Sequence, residues 1–258
     1  MQLKRFLAVT LATAALAAIP AQAVTLKWAA QNDILTLDPH SQNHATTNAI
    51  MQHTYEGLTR YNKQYQPEPC LATGWKQMSD THWRFNLRKG VKFHDGADFT
   101  ADDVVFSFGR IQQKQGTMQI YVTGIKEVVK VDDHTVDLML SGPVPILLRN
   151  IVDFRIMSKA WSEKNRSQNI QDYRAKEETY ASRNTNGTGP YQIKGWEPDK
   201  QIAFTYNKQW WGKLTDNDLT MIKGDRDVLL GKIQERYGRT REEAMKDVDR
   251  WLEAEGVR

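Results

Sequence analysis

The alternation of apolar and polar residues predicts short strands with one buried face over much of the chain. The segments with this pattern are 82–87, 125–131, 135–140, 191–193 and 202–206. Asp132-Asp133 separates two of them and predicts a hairpin, and Glu197-Pro198-Asp199 marks a turn between the last two. Two further turns, Lys89-Gly90 and Asp95-Gly96, follow the segment 82–87.

Helical spacing appears at residues 45–58 and, more clearly, after Thr100. The Thr100 hydroxyl can cap the helix, and the Asp103 carboxylate favours its amino end. One apolar face follows, formed by Val104, Val105, Phe108 and Ile111. Residues 158–180 are polar, with helix expected only in pieces. Short strands, irregular connections and helices together predict an α+β fold.

The first 23 residues have the order of a secretory signal. Lys4 and Arg5 precede the apolar run 6–19, and Ala21-Gln22-Ala23 supplies small residues for cleavage. The run is shorter than the ~20 residues that span a bilayer, which disfavours the alternative of an uncleaved anchor. We therefore expect an exported protein that begins at residue 24.

Charge and composition exclude several classes of protein. The net charge is +4, from 35 basic and 31 acidic residues, and their mixing along the chain does not indicate nucleic-acid binding. No G-x-S-x-G, H-E-x-x-H or P-loop motif is present, so we expect neither an enzyme nor a cofactor.

Cysteine and histidine give no pattern of a metal site. Cys70 is the single cysteine and is expected to be a buried small hydrophobe. The six histidines are scattered, and His40 and His44, although four residues apart, are expected in a solvated loop.

The segment 71–108 resembles the signature of the peptide, opine and nickel class of ABC-transporter solute-binding proteins, family 5. The resemblance rests on Leu71-Ala72, Trp75, Leu87 to Gly96 and Thr100 to Ser107. Further matches, which extend it over about residues 24–210, are Asp38-Pro39, Glu56-Gly57-Leu58 and Gly187-Thr188-Gly189-Pro190-Tyr191.

The resemblance implies one lobe of a periplasmic binding protein, with a mixed sheet and covering helices. It also implies a solute such as a peptide, bound in a cleft between two lobes, and an ABC permease in the inner membrane as partner. The positions that match ligand-contact loops are Gln31, Asn32, Asp33, Tyr121, Gly187, Thr188, Gly189, Pro190 and Tyr191. The glycines there allow either close approach to a ligand or a turn, and Asp33 is either an acceptor for an ammonium or a solvated acid.

Members of that family have about twice the length of this chain. A single lobe cannot bury most of a ligand, so weak or absent binding is expected of residues 24–210 alone. We also expect an open sheet edge there.

Residues 211–254 resemble a different family, the CsbD-like stress-associated proteins. The matching residues are Trp211 to Asp216, Gly231 to Gly238, Glu242-Glu243-Ala244 and Trp251. A helical stripe ending at Gly238 and the capping box Thr240 to Glu243 predict a two-helix hairpin, with a domain boundary near residues 209–217. The alternative function is therefore a non-catalytic stress or interaction protein in which segment 211–258 carries the role.

Overall fold

The computed structural model describes residues 29–212 together with residues 240, 242, 243 and 246. The chain divides into two compact units, Met1–Gln31 and Asn32–Arg258, and the elements below all belong to the second. The predicted signal peptide and nearly all of the predicted two-helix hairpin lie outside the described residues. In the described part of the chain, no helix is long and apolar enough to cross a bilayer.

Short helices and strands alternate along the described chain. The helices are α1 Ala45–Met51, α2 Ala101–Ile111, α3 Leu147–Asn150 and α4 Lys159–Lys164. The strands are β1 Thr59–Tyr61, β2 Pro67–Pro69, β3 Ala72–Ser79, β4 His82–Leu87, β5 Ile125–Asp132, β6 Thr135–Leu140, β7 Tyr191–Glu197 and β8 Gln201–Tyr206. Turns of 3₁₀ helix occupy Met118–Val122, Ile151–Asp153 and Tyr180–Ser182.

A four-stranded sheet in the order β3-β4-β6-β5 forms the centre of the main core. The predicted strand 82–87 and the predicted hairpin at Asp132-Asp133 are both present, and Phe85 lies opposite Val136 across them. All pairings between the described strands are antiparallel, so they do not include the mixed sheet that the resemblance implied.

Helix α2 covers this sheet by packing against β5 and β6. It begins as predicted: the Asp103 carboxylate accepts a hydrogen bond of 2.8 Å from the Thr100 backbone N–H. Its apolar face buries Val104, Phe108 and Ile111 in the core. The signal for this helix is local in sequence, which is why it could be predicted.

The connection from β4 to α2 makes the two predicted turns. Gly90 and Gly96 have φ values of 72° and 92°, a backbone region that glycine enters without strain. Between these turns Val91 and Phe93 point inward and are buried.

Several predicted elements are shorter than their sequence pattern. Helix α1 ends at Met51, although Tyr55 and Leu58 beyond it are buried as the helical spacing suggested. The β1–β2 pair was not predicted, because β2 is a three-residue strand that contains two prolines.

The β7–β8 hairpin packs over a second, smaller core. Its turn, at Glu197-Pro198-Asp199, is the predicted one. The buried apolar residues of this core are Ile34, Leu37, Ile50, Met51, Tyr55, Met157 and Ala181. All the residues of both cores lie in the second compact unit, Asn32–Arg258.

A buried ion pair joins segments that are far apart in sequence. Arg110 of α2 donates to both carboxylate oxygens of Asp38 at 2.8 and 2.6 Å, and both side chains are almost fully buried. Arg110 also donates to the carbonyls of Ser167 and Asn169 at 3.0 Å. The remaining Arg110 contact is with His40 Nδ1 at 3.2 Å, so each of the five guanidinium N–H groups has an acceptor.

The prediction that His40 lies in a solvated loop is wrong, because its ring is fully buried beside Arg110. Its Nε2 is 2.8 Å from the carbonyl of Arg155. Burial, reinforced by the nearby Arg110 charge, lowers the pKa of His40 to about 3. Burial alone would raise the pKa of Asp38, but the charge and hydrogen bonds of Arg110 leave that pKa lowered.

We expect Arg110→Met to lower the free energy of unfolding by about 3–5 kcal/mol, because it leaves the Asp38 carboxylate buried without its cation. The matched control is Arg183→Met, which removes an exposed pair with Glu178 and a cation–π contact with Trp196 and should cost at most about 2 kcal/mol. Urea denaturation of both variants measures the difference. Equal midpoints for the two variants would show that the buried pair does not stabilise the fold.

The neutral His40 ring predicts a pH dependence of stability. Its pKa is about 3 in the folded chain against an ordinary value of 6.5, so the unfolded chain takes up the proton first. This contribution is complete above pH 6.5 and is lost as the pH falls toward 3, at up to about 1.4 kcal/mol per unit. Denaturation curves across that range should show a shallower slope for His40→Gln than for the wild type, and an equal slope would contradict a pKa lowered by burial.

Candidate functional site

A surface cavity of about 830 Å³ lies where the end of α2 and the following 3₁₀ turn meet the loop 172–174. Its lining is mostly polar, and it consists of Lys114, Gln115, Gly116, Thr117, Gln119, Ile120, Thr123, Asp172 and Arg174. A volume of this size falls in the range of pockets that hold small molecules. None of the lining residues was predicted from the sequence as a site residue.

The buried network around Asp38 holds both walls of this cavity in place. On one side, the Asp38 carboxylate accepts from the backbone N–H of Gln171, the residue before the lining residue Asp172, at 3.1 Å. On the other side, the carbonyl of Ser41 accepts from the backbone N–H of Thr117 at 2.9 Å. Segments 38–41, 114–117 and 171–172 are therefore fixed relative to one another by hydrogen bonds.

Gln113 adds a second tie between the same walls. Its side-chain amide donates to the carbonyl of Gln168 at 3.0 Å and accepts from the backbone N–H of Ile170 at 2.8 Å. Gly116 also lies against the carbonyl of His40 so closely that a Cβ atom there would overlap it. The cavity therefore has a rigid floor and exposed side chains at its rim.

The charges at the rim favour an anionic group. Lys114 and Arg174 are exposed, and neither forms an ion pair with an acidic side chain within the part of the chain that the structure describes. The Asp172 carboxylate accepts from the backbone N–H groups of Arg174 and Ala175 at 3.0 Å, so its charge is partly compensated by its own loop. A ligand carboxylate between the two cations would have favourable electrostatics.

Tyr121 lies next to this cavity in sequence, since Ile120 and Thr123 both line it. Its hydroxyl donates to the side-chain oxygen of Asn43 at 3.1 Å, and its ring packs against the main core. Burial raises the pKa of Tyr121, so the hydroxyl stays protonated and able to donate. Tyr121 itself does not line the cavity, and its role as a ligand contact stays a prediction.

The predicted residues near the start of the chain have different positions. Gln31 and Asn32 are exposed, and Gln31 closes the first compact unit. The Asp33 carboxylate accepts from the Trp196 indole N–H at 3.0 Å and from the Asp199 backbone N–H at 2.8 Å. Burial alone would raise the pKa of Asp33, but these hydrogen bonds outweigh it and leave the pKa lowered.

The predicted segment Gly187–Tyr191 runs beside residues 53–55. Gly189 N–H donates to the Thr54 carbonyl at 2.9 Å, and Tyr191 N–H donates to the His53 carbonyl at 3.0 Å. A Cβ atom on Gly187 would overlap the Thr54 carbonyl. The glycines therefore permit a close approach, but to the protein's own backbone, and two of the N–H groups are already engaged.

These predicted residues do not form one cluster. Asp33 and the segment 187–191 both contact the β7–β8 hairpin, whereas Tyr121 lies in the 3₁₀ turn that supplies Ile120 to the cavity. Within residues 29–212, no hydrogen bond or ring contact joins Tyr121 to Asp33 or to the segment 187–191. Sequence spacing could not have shown this separation, because it depends on how the hairpin folds back on residues 53–55.

A solved structure shows which fold class this arrangement belongs to. The peptide-binding periplasmic protein DppA of Helicobacter pylori, solved with the peptide STSA, superposes with a TM-score of 0.60 and 28% identity. The superposition covers 70% of this chain and 39% of that protein. The fold class is thus that of a periplasmic-binding-protein lobe.

The chain belongs to the bacterial extracellular solute-binding proteins, family 5. The family model described as "Bacterial extracellular solute-binding proteins, family 5 Middle" matches residues 66–236, more than half of the chain. This confirms the family-5 resemblance of the segment around residues 71–108.

Curated relatives give the same assignment. The dipeptide-binding protein of Escherichia coli K12 is 33% identical over 190 residues, which cover 64% of this chain and 34% of that protein. Heme-binding protein A of Haemophilus influenzae is 31% identical over 212 residues, covering 72% of this chain and 38% of that protein. The chain therefore spans about a third of the length of these relatives.

The family match also continues past the predicted domain boundary near residues 209–217. None of the relatives described above is a CsbD-like protein, and that interpretation of residues 211–254 stays a prediction. The same holds for the stress-related alternative function.

The contact between segments 187–189 and 53–55 predicts a clear difference between two glycine substitutions. We expect Gly187→Ala to cost roughly 1–3 kcal/mol or more, because the new methyl group meets a backbone carbonyl that cannot move aside alone. Gly74→Ala on β3 is the matched control, because a Cβ atom there meets open space, and its stability should stay close to that of the wild type. Thermal denaturation separates the two outcomes, and a neutral Gly187→Ala would contradict the packing described here.

Proposed function

We propose that this chain is the solute-binding component of an ABC importer for peptides or similar small solutes. The observation that carries this proposal is the family-5 match over residues 66–236 on a lobe of the periplasmic-binding-protein fold. The role is non-catalytic, and the chain would act outside the cytoplasmic membrane, in the periplasm. Its partner would be the ABC permease in the inner membrane.

The lobe's contribution to solute binding is centred on the cavity beside Tyr121. The cations Lys114 and Arg174 suit the carboxylate of a peptide or similar solute, and the amides of Gln115 and Gln119 offer both donors and acceptors. Further contacts would come from the exposed Asn32, from Asp33 and from the segment Gly187–Tyr191, which flank the β7–β8 hairpin. Gln31 stays a contact predicted from the sequence alone.

The affinity of these residues on their own should be low. The cavity opens to solvent and its cations are exposed, so a ligand there keeps much of its surface hydrated. Exposed charge pairs contribute at most about 1 kcal/mol each. Tight binding needs a ligand that is enclosed on several sides, and the described residues supply one wall.

We expect the purified chain to bind dipeptides with a dissociation constant near 1 mM, equivalent to about 4 kcal/mol. Titration followed by NMR should show fast-exchange shifts confined to residues 114–123 and 172–174. The double variant Lys114→Gln, Arg174→Gln should weaken binding roughly tenfold, because it removes both cations. Lys76→Gln, at an exposed position on β3, should bind as the wild type does.

Two results would count against this site. Micromolar affinity for the chain alone would show that the described wall encloses the solute far better than its geometry suggests. Shifts that map away from the cavity, or that persist unchanged in the double variant, would show that the solute binds elsewhere.

A further inference from the structure

The carboxylate of Glu56 receives hydrogen bonds from two segments that are remote from it in sequence, and also one from the nearby Cys70 thiol at 3.8 Å. Its Oε2 accepts from the Thr188 hydroxyl at 2.7 Å and from the Trp211 indole N–H at 2.9 Å. Its Oε1 accepts from the Trp210 indole N–H at 3.1 Å. Glu56 is buried, with 6% of its surface exposed, so these donors take the place of water.

This carboxylate has no direct ion pair in the described part of the chain. Arg60 on β1, whose charge acts on this carboxylate, is itself paired with Glu68 at 2.6 Å. A buried charge that relies on neutral donors is costly to remove from water. The arrangement therefore needs an explanation beyond packing.

The two segments that meet at Glu56 have different roles. Thr188 lies in the segment Gly187–Tyr191, which belongs to the proposed solute site. Trp210 and Trp211 follow the last described strand, and Trp211 packs against the main core beneath the Arg88 guanidinium, 4.0 Å from its ring centre. If Thr188 moves, the Glu56 carboxylate that accepts from both indoles must move with it or lose a hydrogen bond.

We propose that Glu56 is a positioning residue that couples the segment Gly187–Tyr191 to the Trp210–Trp211 pair through a single shared carboxylate. The link of the first segment to solute rests on the proposed function, but the coupling itself does not require a solute. A movement of the segment Gly187–Tyr191 would therefore shift Trp210 and Trp211, and a movement of the tryptophans would shift that segment.

Ionisation of Glu56 gives this coupling a measurable signature. Burial raises the pKa of Glu56, and the hydrogen bonds from Trp211, Thr188 and Trp210 oppose that rise because they stabilise the ionised form. The other titratable or charged groups that face it are Arg60, the buried Cys70 with its sulfur 3.8 Å from Oε1, and Arg88 above Trp211. Protonation of this one carboxylate should change the NMR signals of Thr188, Trp210 and Trp211 together.

The test is a pH titration of the full chain followed by ¹H–¹⁵N NMR, between about pH 4 and pH 8. The Trp210 and Trp211 indole signals, identified with Trp210→Phe and Trp211→Phe, should titrate with the backbone signal of Thr188 at one common midpoint. This midpoint should lie above the ordinary range for a glutamic acid. Glu56→Gln should abolish the transition, and the exposed Glu178→Gln should leave it unchanged.

Variants that remove one donor make the proposal falsifiable even if Glu56→Gln does not fold. Thr188→Val and Trp210→Phe should each raise the midpoint at the remaining signals by roughly half a unit to one unit, because the ionised form loses a hydrogen bond. Thr188→Ser keeps a hydroxyl and should restore it. Separate midpoints for the three signals, no transition, or a midpoint that falls in Thr188→Val would overturn the coupling; failure to bind dipeptides would overturn only the proposed function.

Discussion

The bidentate pair between Arg110 and Asp38 is the constraint on which most of this lobe depends. The Arg110 guanidinium is buried and needs acceptors for five N–H groups, and the chain supplies them from two segments, 38–40 and 167–169, that are distant from it in sequence. Because an unpaired charge in this position is costly, the segments around residues 38, 110 and 168 cannot separate without exposing or orphaning it. The pair therefore fixes how these three segments are arranged, and it also contributes to stability.

The shape of the candidate cavity depends on that arrangement. Its walls are held from behind by Asp38, Ser41 and Gln113, none of which lines it. The side chains that do line it are exposed at the rim and make few contacts with the core. Such a division lets the lining change from one protein to another without loss of the fold, and it is consistent with relatives that are named for ligands as different as dipeptides and heme.

What could be predicted from the sequence follows from the distance between interacting residues. The α2 cap, the β5–β6 hairpin and the β7–β8 hairpin depend on residues a few positions apart, and each was predicted correctly. The burial of His40 depends on Arg110, seventy positions later, so a polar segment after Pro39 gave no sign of it. For the same reason the sequence did not indicate the cavity: Lys114 and Arg174, which both line it, come together only in the folded chain, and the contact role that the resemblance implied for Tyr121 stays a prediction.

The contacts of Glu56 bear on where the lobe ends. A boundary at residue 210 would separate two adjacent tryptophans whose indole groups share one buried carboxylate, and Trp211 also packs against the main core. Two side chains that depend on the same acceptor fold together, so Trp211 belongs with the lobe. The sequence suggested otherwise because Trp211-Gly212-Lys213 begins the segment that resembles another family. Shared residues at such a junction can satisfy two patterns, and only the contacts show which structure they serve.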